Sequence, residues 1–207
     1  MNYLLTDSEY TTWPGALESG WAEPWQHREI FQLAVLLTDA DFNEIDSLVV
    51  LVKPKVNSIL SELAQRLTNI SQMQIEQHGV AFPEAVKQFE LLASRATATI
   101  CMNGDSGVFR ENCRINNIPF PFDHDFHRLR PFLEQQKVDL SKCSSGELHK
   151  LTPTPLEGHT HDALHDCRSM AAWLRHARAL SVFLSVSDLP TEIPKVDPRS
   201  KEIARII

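Results

Sequence analysis

The 207-residue sequence predicts an α/β domain, a mixed sheet flanked by helices. Three observations support this. The first third of the chain carries three Val-, Leu- and Ile-rich runs with strand character, after which amphipathic helical patterning takes over. A short apolar run, "TATICMN", then interrupts the helices. Strands, helices, strand, helix, strand, helix is the element order of an α/β domain. Composition agrees: 43% hydrophobic and 23% charged residues are ordinary for one globular domain with a substantial core.

The first element is "NYLLTDSEYTTW", where the apolar run Tyr3–Leu5 leads into Asp7 and Glu9. On a strand these two acids share a face. Adjacent carboxylates repel, so the pair weakens the strand unless something compensates. "EIFQLAVLLTD" (Glu29 to Asp39) and "EIDSLVVLVKP" (Glu44 to Pro54) follow as consecutive, antiparallel strands across a short Asp/Asn-bearing separator. "SILSELAQRL" carries an apolar helical face, and "PEAVKQFELLASRA" opens with Pro83 at a helix N1 position. "TATICMN" reads as a buried strand ending at the Asn103-Gly104 turn, and "DSGVFRENCRINN" as a helix with Asp105 at its mouth. "FDHDFHRLR" reads as a further strand.

The last clear element is the helix in "HDALHDCRSMAAWLRHARALSVFL". Ala163, Cys167, Met170, Leu174 and Ala177 recur at the spacing of a buried stripe. Asp166 falls on the edge of that stripe and His165 on the far side, toward solvent. An acid aimed inward needs a partner, because burying an unpaired charge is expensive. Asp7, Glu9, Asp105 and Asp166 all lie at element ends that converge in such a fold. Hard divalent cations, Mg²⁺ or Mn²⁺, resolve the repulsion among them. Residues 1–185 form the domain, and 186–207 a Pro-containing tail that packs on the domain or on a partner, including a second copy in a homodimer.

Several function classes drop out. The net charge of −7 argues against coating long duplex nucleic acid, though not against gripping a few nucleotides at a metal-bearing site. The longest apolar run, Leu48 to Val52, is too short to span a bilayer. With no signal-peptide pattern, and four cysteines in no zinc-ribbon spacing, a cytoplasmic protein with reduced thiols is expected. "HTHDALHD" fails the H-x-H-x-D-H zinc pattern, because Ala163 and Leu164 occupy the last two required positions.

"DSEYT" resembles the D-x-E-x-T motif of the DEDDh branch of the DnaQ-like 3′–5′ exonucleases, and "HDALHD" resembles their H-x-A-L-x-D. Between them, "REIFQLAVLLTD", "LTNISQMQI", "FPEAVKQF" and "FHRLRPFLEQ" are similar to family segments in the same order, from Met1 to about Ala179. The resemblance implies a ribonuclease H-like fold with a mixed five-stranded sheet. It implies two divalent ions held by Asp7, Glu9, Asp105 and Asp166, with His161 as general base. The substrate implied is a single-stranded RNA or DNA 3′ end. Thr11, Trp13 and Phe109 are candidate substrate contacts. The middle acid here sits in "NGDSG" rather than after an aromatic residue, so Asp123 and Asp125 compete with Asp105. Trp13, Trp21 and Trp25 form either a small apolar cluster of their own or a stacking wall for bases; for Phe109, core packing competes with stacking. The alternatives are a non-catalytic binding module on the same fold, or an HD-type phosphohydrolase using His165-Asp166.

Overall fold

A computed structural model describes residues 1–122, 126–183 and 185–191. The strands are β1 (Tyr3–Tyr10), β2 (Ile30–Thr38), β3 (Glu44–Lys53), β4 (Val80–Ala81), β5 (Ala98–Cys101) and β6 (Phe126–Arg128). The α-helices are α1 (Ala16–Ser19), α2 (Glu62–Thr68), α3 (Gln72–His78), α4 (Phe82–Ala93), α5 (Asp105–Asn116), α6 (Leu129–Gln135) and α7 (Ala163–Ala179). Short 3₁₀ turns at Leu140–Lys142, Ser145–Leu151 and Val186–Asp188 complete the elements of the described residues.

The strands form one mixed sheet in the order β4-β3-β2-β1-β5-β6. β1, β2 and β3 pair antiparallel, while β5 runs parallel to β1 and β6 parallel to β5. The sheet therefore has six strands rather than five. The sixth, β4, is two residues long and pairs with β3 only at Val52 and Lys53. A strand that short has no hydrophobic period to read.

β1 lies between β2 and β5, so both its edges are paired, and both its faces are covered by packed side chains. Leu4 packs with Leu33, Val35, Phe82, Phe89 and Phe109 on the α4/α5 side. Tyr3 and Leu5 pack with Leu36, Ile100, Cys167, Met170 and Leu174 on the α7 side. Alternation then carries Asp7 and Glu9 onto the α7 face. Opposite them in β2 stand Ala34 and Gln32.

Helix starts follow local chemistry. Ser61 caps α2 by accepting from the Ala64 amide, and Ser71 with Gln74 forms a capping box on α3. α4 starts one residue before Pro83, which stands second in the helix rather than first. Asp162 caps α7, its carboxylate accepting from the Leu164 and His165 amides. The Ala163 amide donates to Gln32 Oε1 at 3.0 Å, fixing the start of α7 over β2.

All four cysteines are buried, and none is joined in a disulfide. Among the described residues no helix is long and apolar enough to cross a membrane. The first part of the tail packs back on the domain: the Arg128 amide donates to the Pro190 carbonyl, and Val186 and Leu189 are buried. Of the "FDHDFHRLR" strand, residues 126–128 form β6, while Asp123 and Asp125 lie outside the described residues.

Candidate metal centre

Residues 159 apart in sequence meet here: Asp7, Glu9 and Asp166 each offer a carboxylate oxygen, all within 4.8 Å of one another. β1 supplies the first two by alternation, and the first turn of α7 supplies the third. Asp7 and Asp166 are buried and Glu9 half-buried.

Electrostatics match that crowding. Burial pushes the Asp7 carboxyl well above its ordinary value, and the negative charges of Asp105, Asp166 and Glu9 push it further. Asp105, in the first turn of α5, is the largest of these charge effects, so the fourth predicted acid acts on the same site. Asp166 is raised to about 6, chiefly by burial. The three neighbouring carboxylates form an acceptor-only set of oxygens. That is the set a hard divalent cation requires, so the residues fit one.

His161 stands at the rim, its Nδ1 3.7 Å from Glu9 Oε1. The Glu9 carboxylate raises the imidazole above its usual value, against the opposing effect of burial. The backbone of His161 adopts a left-handed φ of 71°, uncommon for a residue with a side chain. Two contacts hold the turn: the Asp162 cap, and a bond from the His161 amide to Asp166 Oδ1 at 3.3 Å. Strain maintained in this way recurs at functional sites.

Other sequence readings change. His165 does not face solvent: it is only 7% exposed, and its Nε2 lies 3.0 Å from the Gly146 carbonyl. α7 is covered on a second side by residues 145–151, so its buried surface is wider than the apolar stripe. With His165 engaged there, an HD-type pairing with Asp166 has no support. Phe109 belongs to the core, 3% exposed among Phe82, Phe89, Phe120 and Phe122, and offers no stacking surface. Thr11 spends its hydroxyl internally, donating to the His27 carbonyl at 2.5 Å and accepting from the Glu29 amide at 3.0 Å.

The tryptophans divide. Trp21 is buried against Tyr10, with its indole N–H on the Thr11 carbonyl. Trp13 and Trp25 meet edge-to-face at 4.8 Å, and Trp25 is 50% exposed. Sequence reasoning missed Ser145, whose Oγ donates to Asp166 Oδ2 at 2.8 Å. No sequence period links positions 21 residues apart.

The sequence profile of the RNase T-type exonuclease family matches residues 11–174, which begin at the last residue of "DSEYT" and contain "HDALHD". The chain belongs to this exonuclease family. It is accordingly a nuclease-family hydrolase, and the family uses divalent metal ions. Solved structures agree in fold. The nuclease domain of 3′hExo, a DEDDh family member bound to rAMP, superposes with a TM-score of 0.74 at 19% identity, over 94% of this chain and 97% of that one. Cell-death related nuclease 4 gives 0.71 at 20% identity, over 92% and 66%. The zinc-bound E. coli ExoI–ssDNA complex gives 0.67 at 18% identity, over 86% of this chain and 40% of that one. A search of curated protein sequences finds no match.

The raised carboxyls predict how pH acts on the metal-free protein. A folded-state value above the unfolded one contributes stability that is full below the unfolded value, about 4, and is lost as pH rises through the folded value. For Asp166 that window runs from about 4 to about 6, with a size on the order of 3 kcal/mol. Cations compete with those protons. The gain in melting temperature on adding Mn²⁺ to chelator-treated protein is therefore expected to be larger at pH 7.5 than at pH 5. An equal gain at both values contradicts the assignment.

Proposed function

We propose that the protein is a metal-dependent 3′–5′ exonuclease that hydrolyses phosphodiester bonds at single-stranded RNA or DNA ends and releases nucleoside 5′-monophosphates. The observation that carries this reading is the carboxylate cluster of Asp7, Glu9 and Asp166 with His161 at its rim. The neighbouring structures bound to rAMP and to ssDNA support a nucleic-acid end as substrate.

In this reading Asp7, Glu9, Asp166 and Asp105 hold two divalent ions, Mg²⁺ or Mn²⁺. Such ions supply a polarised phosphate and charge stabilisation on the entering and leaving oxygens. The chain's own residues do the rest. His161 accepts the proton of the attacking water at the imidazole nitrogen not facing Glu9. Glu9 orients the ring through Nδ1 and stabilises the cation that forms, which strengthens the base. Half of the His161 side chain stays open, so water and a strand end can reach it. Trp13 and Trp25, at the loop after β1, provide an aromatic surface for bases behind the cleaved nucleotide.

The test is degradation of end-labelled RNA and DNA oligonucleotides in Mg²⁺ or Mn²⁺. Shortening from the 3′ end that a chelator stops is expected; no metal-dependent shortening of either polymer overturns the reading. His161→Ala should slow chemistry by roughly 10²–10⁴-fold while leaving Mn²⁺ binding intact. Loss of metal affinity in that variant would make His161 a ligand instead of a base.

A further inference from the structure

The segment "KCSSGELHKL" enters none of the motifs above, yet it forms the back wall of the carboxylate cluster. Its 3₁₀ helix, Ser145–Leu151, opens with a reciprocal cap between Ser144 and Glu147. Three points then join it to α7. Ser145 Oγ donates to Asp166 Oδ2 at 2.8 Å, His165 Nε2 meets the Gly146 carbonyl at 3.0 Å, and the His149 amide donates to Ser169 Oγ at 3.0 Å. The His149 and His165 rings meet edge-to-face at 5.3 Å beside these bonds.

We propose that Ser145 is a positioning residue that fixes the orientation of the Asp166 carboxylate for the cation, a role that rests on the metal reading of the cluster. Three features of the geometry carry it. First, the Ser145 bond is the short one. A second donor to Asp166, the His161 amide, stands 3.3 Å from Oδ1, beyond the usual range for a strong N–H···O bond. Second, Ser145 is itself held in place. Its backbone belongs to a helix pinned to α7 by Gly146–His165 and His149–Ser169, so ordering the hydroxyl costs little further entropy. Third, the wall is built to lie close. A Cβ on Gly146 would stand 2.3 Å from Asp166 Oδ1 and 3.1 Å from the Thr160 Cα, so only glycine allows this approach.

The chemistry of the donor matters as well. A hydroxyl orients a carboxylate without cancelling its charge, leaving three of its four acceptor positions for other partners. An Arg or Lys in the same place would form an ion pair and remove the charge that the cation needs. His165 completes the wall in the tautomer assigned by its hydrogen bond, with the proton on Nε2 and donated to Gly146. Its Nδ1 is buried without a partner among the described residues and faces Gly158, where a Cβ would come within 2.1 Å. An unprotonated nitrogen there buries a lone pair rather than an unsatisfied N–H. Groups that orient a metal ligand from behind typically contribute 10–100-fold to metal affinity.

The experiment measures Mn²⁺ binding by titration calorimetry on the full chain, alongside the melting temperature of the chelated protein. Ser145→Ala should bind Mn²⁺ about 10–100-fold more weakly, while its metal-free melting temperature falls only as far as the loss of one hydrogen bond to a carboxylate requires. Its nuclease activity should fall at low Mn²⁺ and recover as Mn²⁺ is raised. Ser145→Thr, which keeps the hydroxyl, should restore affinity. Gly146→Ala, which pushes on the same carboxylate without touching the hydroxyl, should weaken Mn²⁺ binding independently. Wild-type affinity in Ser145→Ala, or a loss that threonine does not restore, overturns the positioning role alone. A wild-type chain that binds no Mn²⁺ overturns the metal reading, and this proposal with it.

Discussion

Asp7→Asn will give a protein that melts at a higher temperature without metal and cuts far more slowly. The two effects share one cause. Asp7 is buried on the α7 face of β1, where desolvation and the charges of Asp105, Asp166 and Glu9 all oppose its ionisation. An amide of the same shape removes the charge, so the metal-free fold loses a repulsive contact. A gain of about 1–2 kcal/mol is expected, the size common when a strained functional site is relieved. The same change removes an anionic ligand from a cluster of three. Metal assistance is worth several kcal/mol in such hydrolysis, so activity should fall by roughly 10²–10⁴-fold. Melting curves in chelator at pH 7.5 and oligonucleotide degradation in Mn²⁺ measure the two halves. A variant less stable than wild type, or one with near-normal rates, removes Asp7 from the site. The repulsion also explains why the strand is worth keeping as it is: a β1 without these acids would be a better strand and a poorer cation trap.

Most of the frame was legible because long elements announce themselves. β2 and β3 were bounded within a residue or two by apolar runs, and α7 by its stripe from Ala163 to Ala177. Asp7 and Glu9 were legible as a pair because strand alternation continues past the point where the core ends. The rest depended on contacts between distant positions. α1, α3, α6 and β4 are too short for a period to emerge. His165 was misplaced because a helical wheel assumes one covered face, whereas α7 also buries Ser169, Ala171 and Ala172 on its other sides. Those small residues carry little hydrophobic signal, although close packing selects them. Phe109 stands one helical turn after Asp105, but its ring is buried inside an aromatic cluster. Ser145 reaches Asp166 only because a 3₁₀ turn lies along α7, a contact between distant segments that no local pattern reports.

Glu29→Ala should be the most destabilising single change at the edge of the site, by about 4 kcal/mol. Glu29 stands just before β2 and is only 1% exposed. Its carboxylate gathers the amides of the loop after β3: Oε1 accepts from Lys55 at 2.6 Å and Val56 at 2.9 Å, and Oε2 from Val56 at 3.0 Å and Asn57 at 2.5 Å. Hydrogen bonds to a charged group contribute about 1.5–3 kcal/mol each, and truncation would leave buried N–H groups without partners. They do not add in full, because the three amides are neighbours and the loop can open to water. Against a total stability of about 5–15 kcal/mol the loss is a large fraction. Glu29→Gln should cost less, since the amide keeps one acceptor oxygen but turns donors toward the other N–H groups. The consequence reaches the aromatic loop. Asn57 holds the Trp25 carbonyl and the His27 amide, and Ser61 Oγ donates to the Thr12 carbonyl beside Trp13. Loosening that loop should weaken oligonucleotide binding while the carboxylates of Asp7 and Asp166 keep their affinity for Mn²⁺. Urea midpoints, oligonucleotide binding and Mn²⁺ titration separate the effects. A wild-type urea midpoint in Glu29→Ala would show that the loop is held by something other than this buried charge.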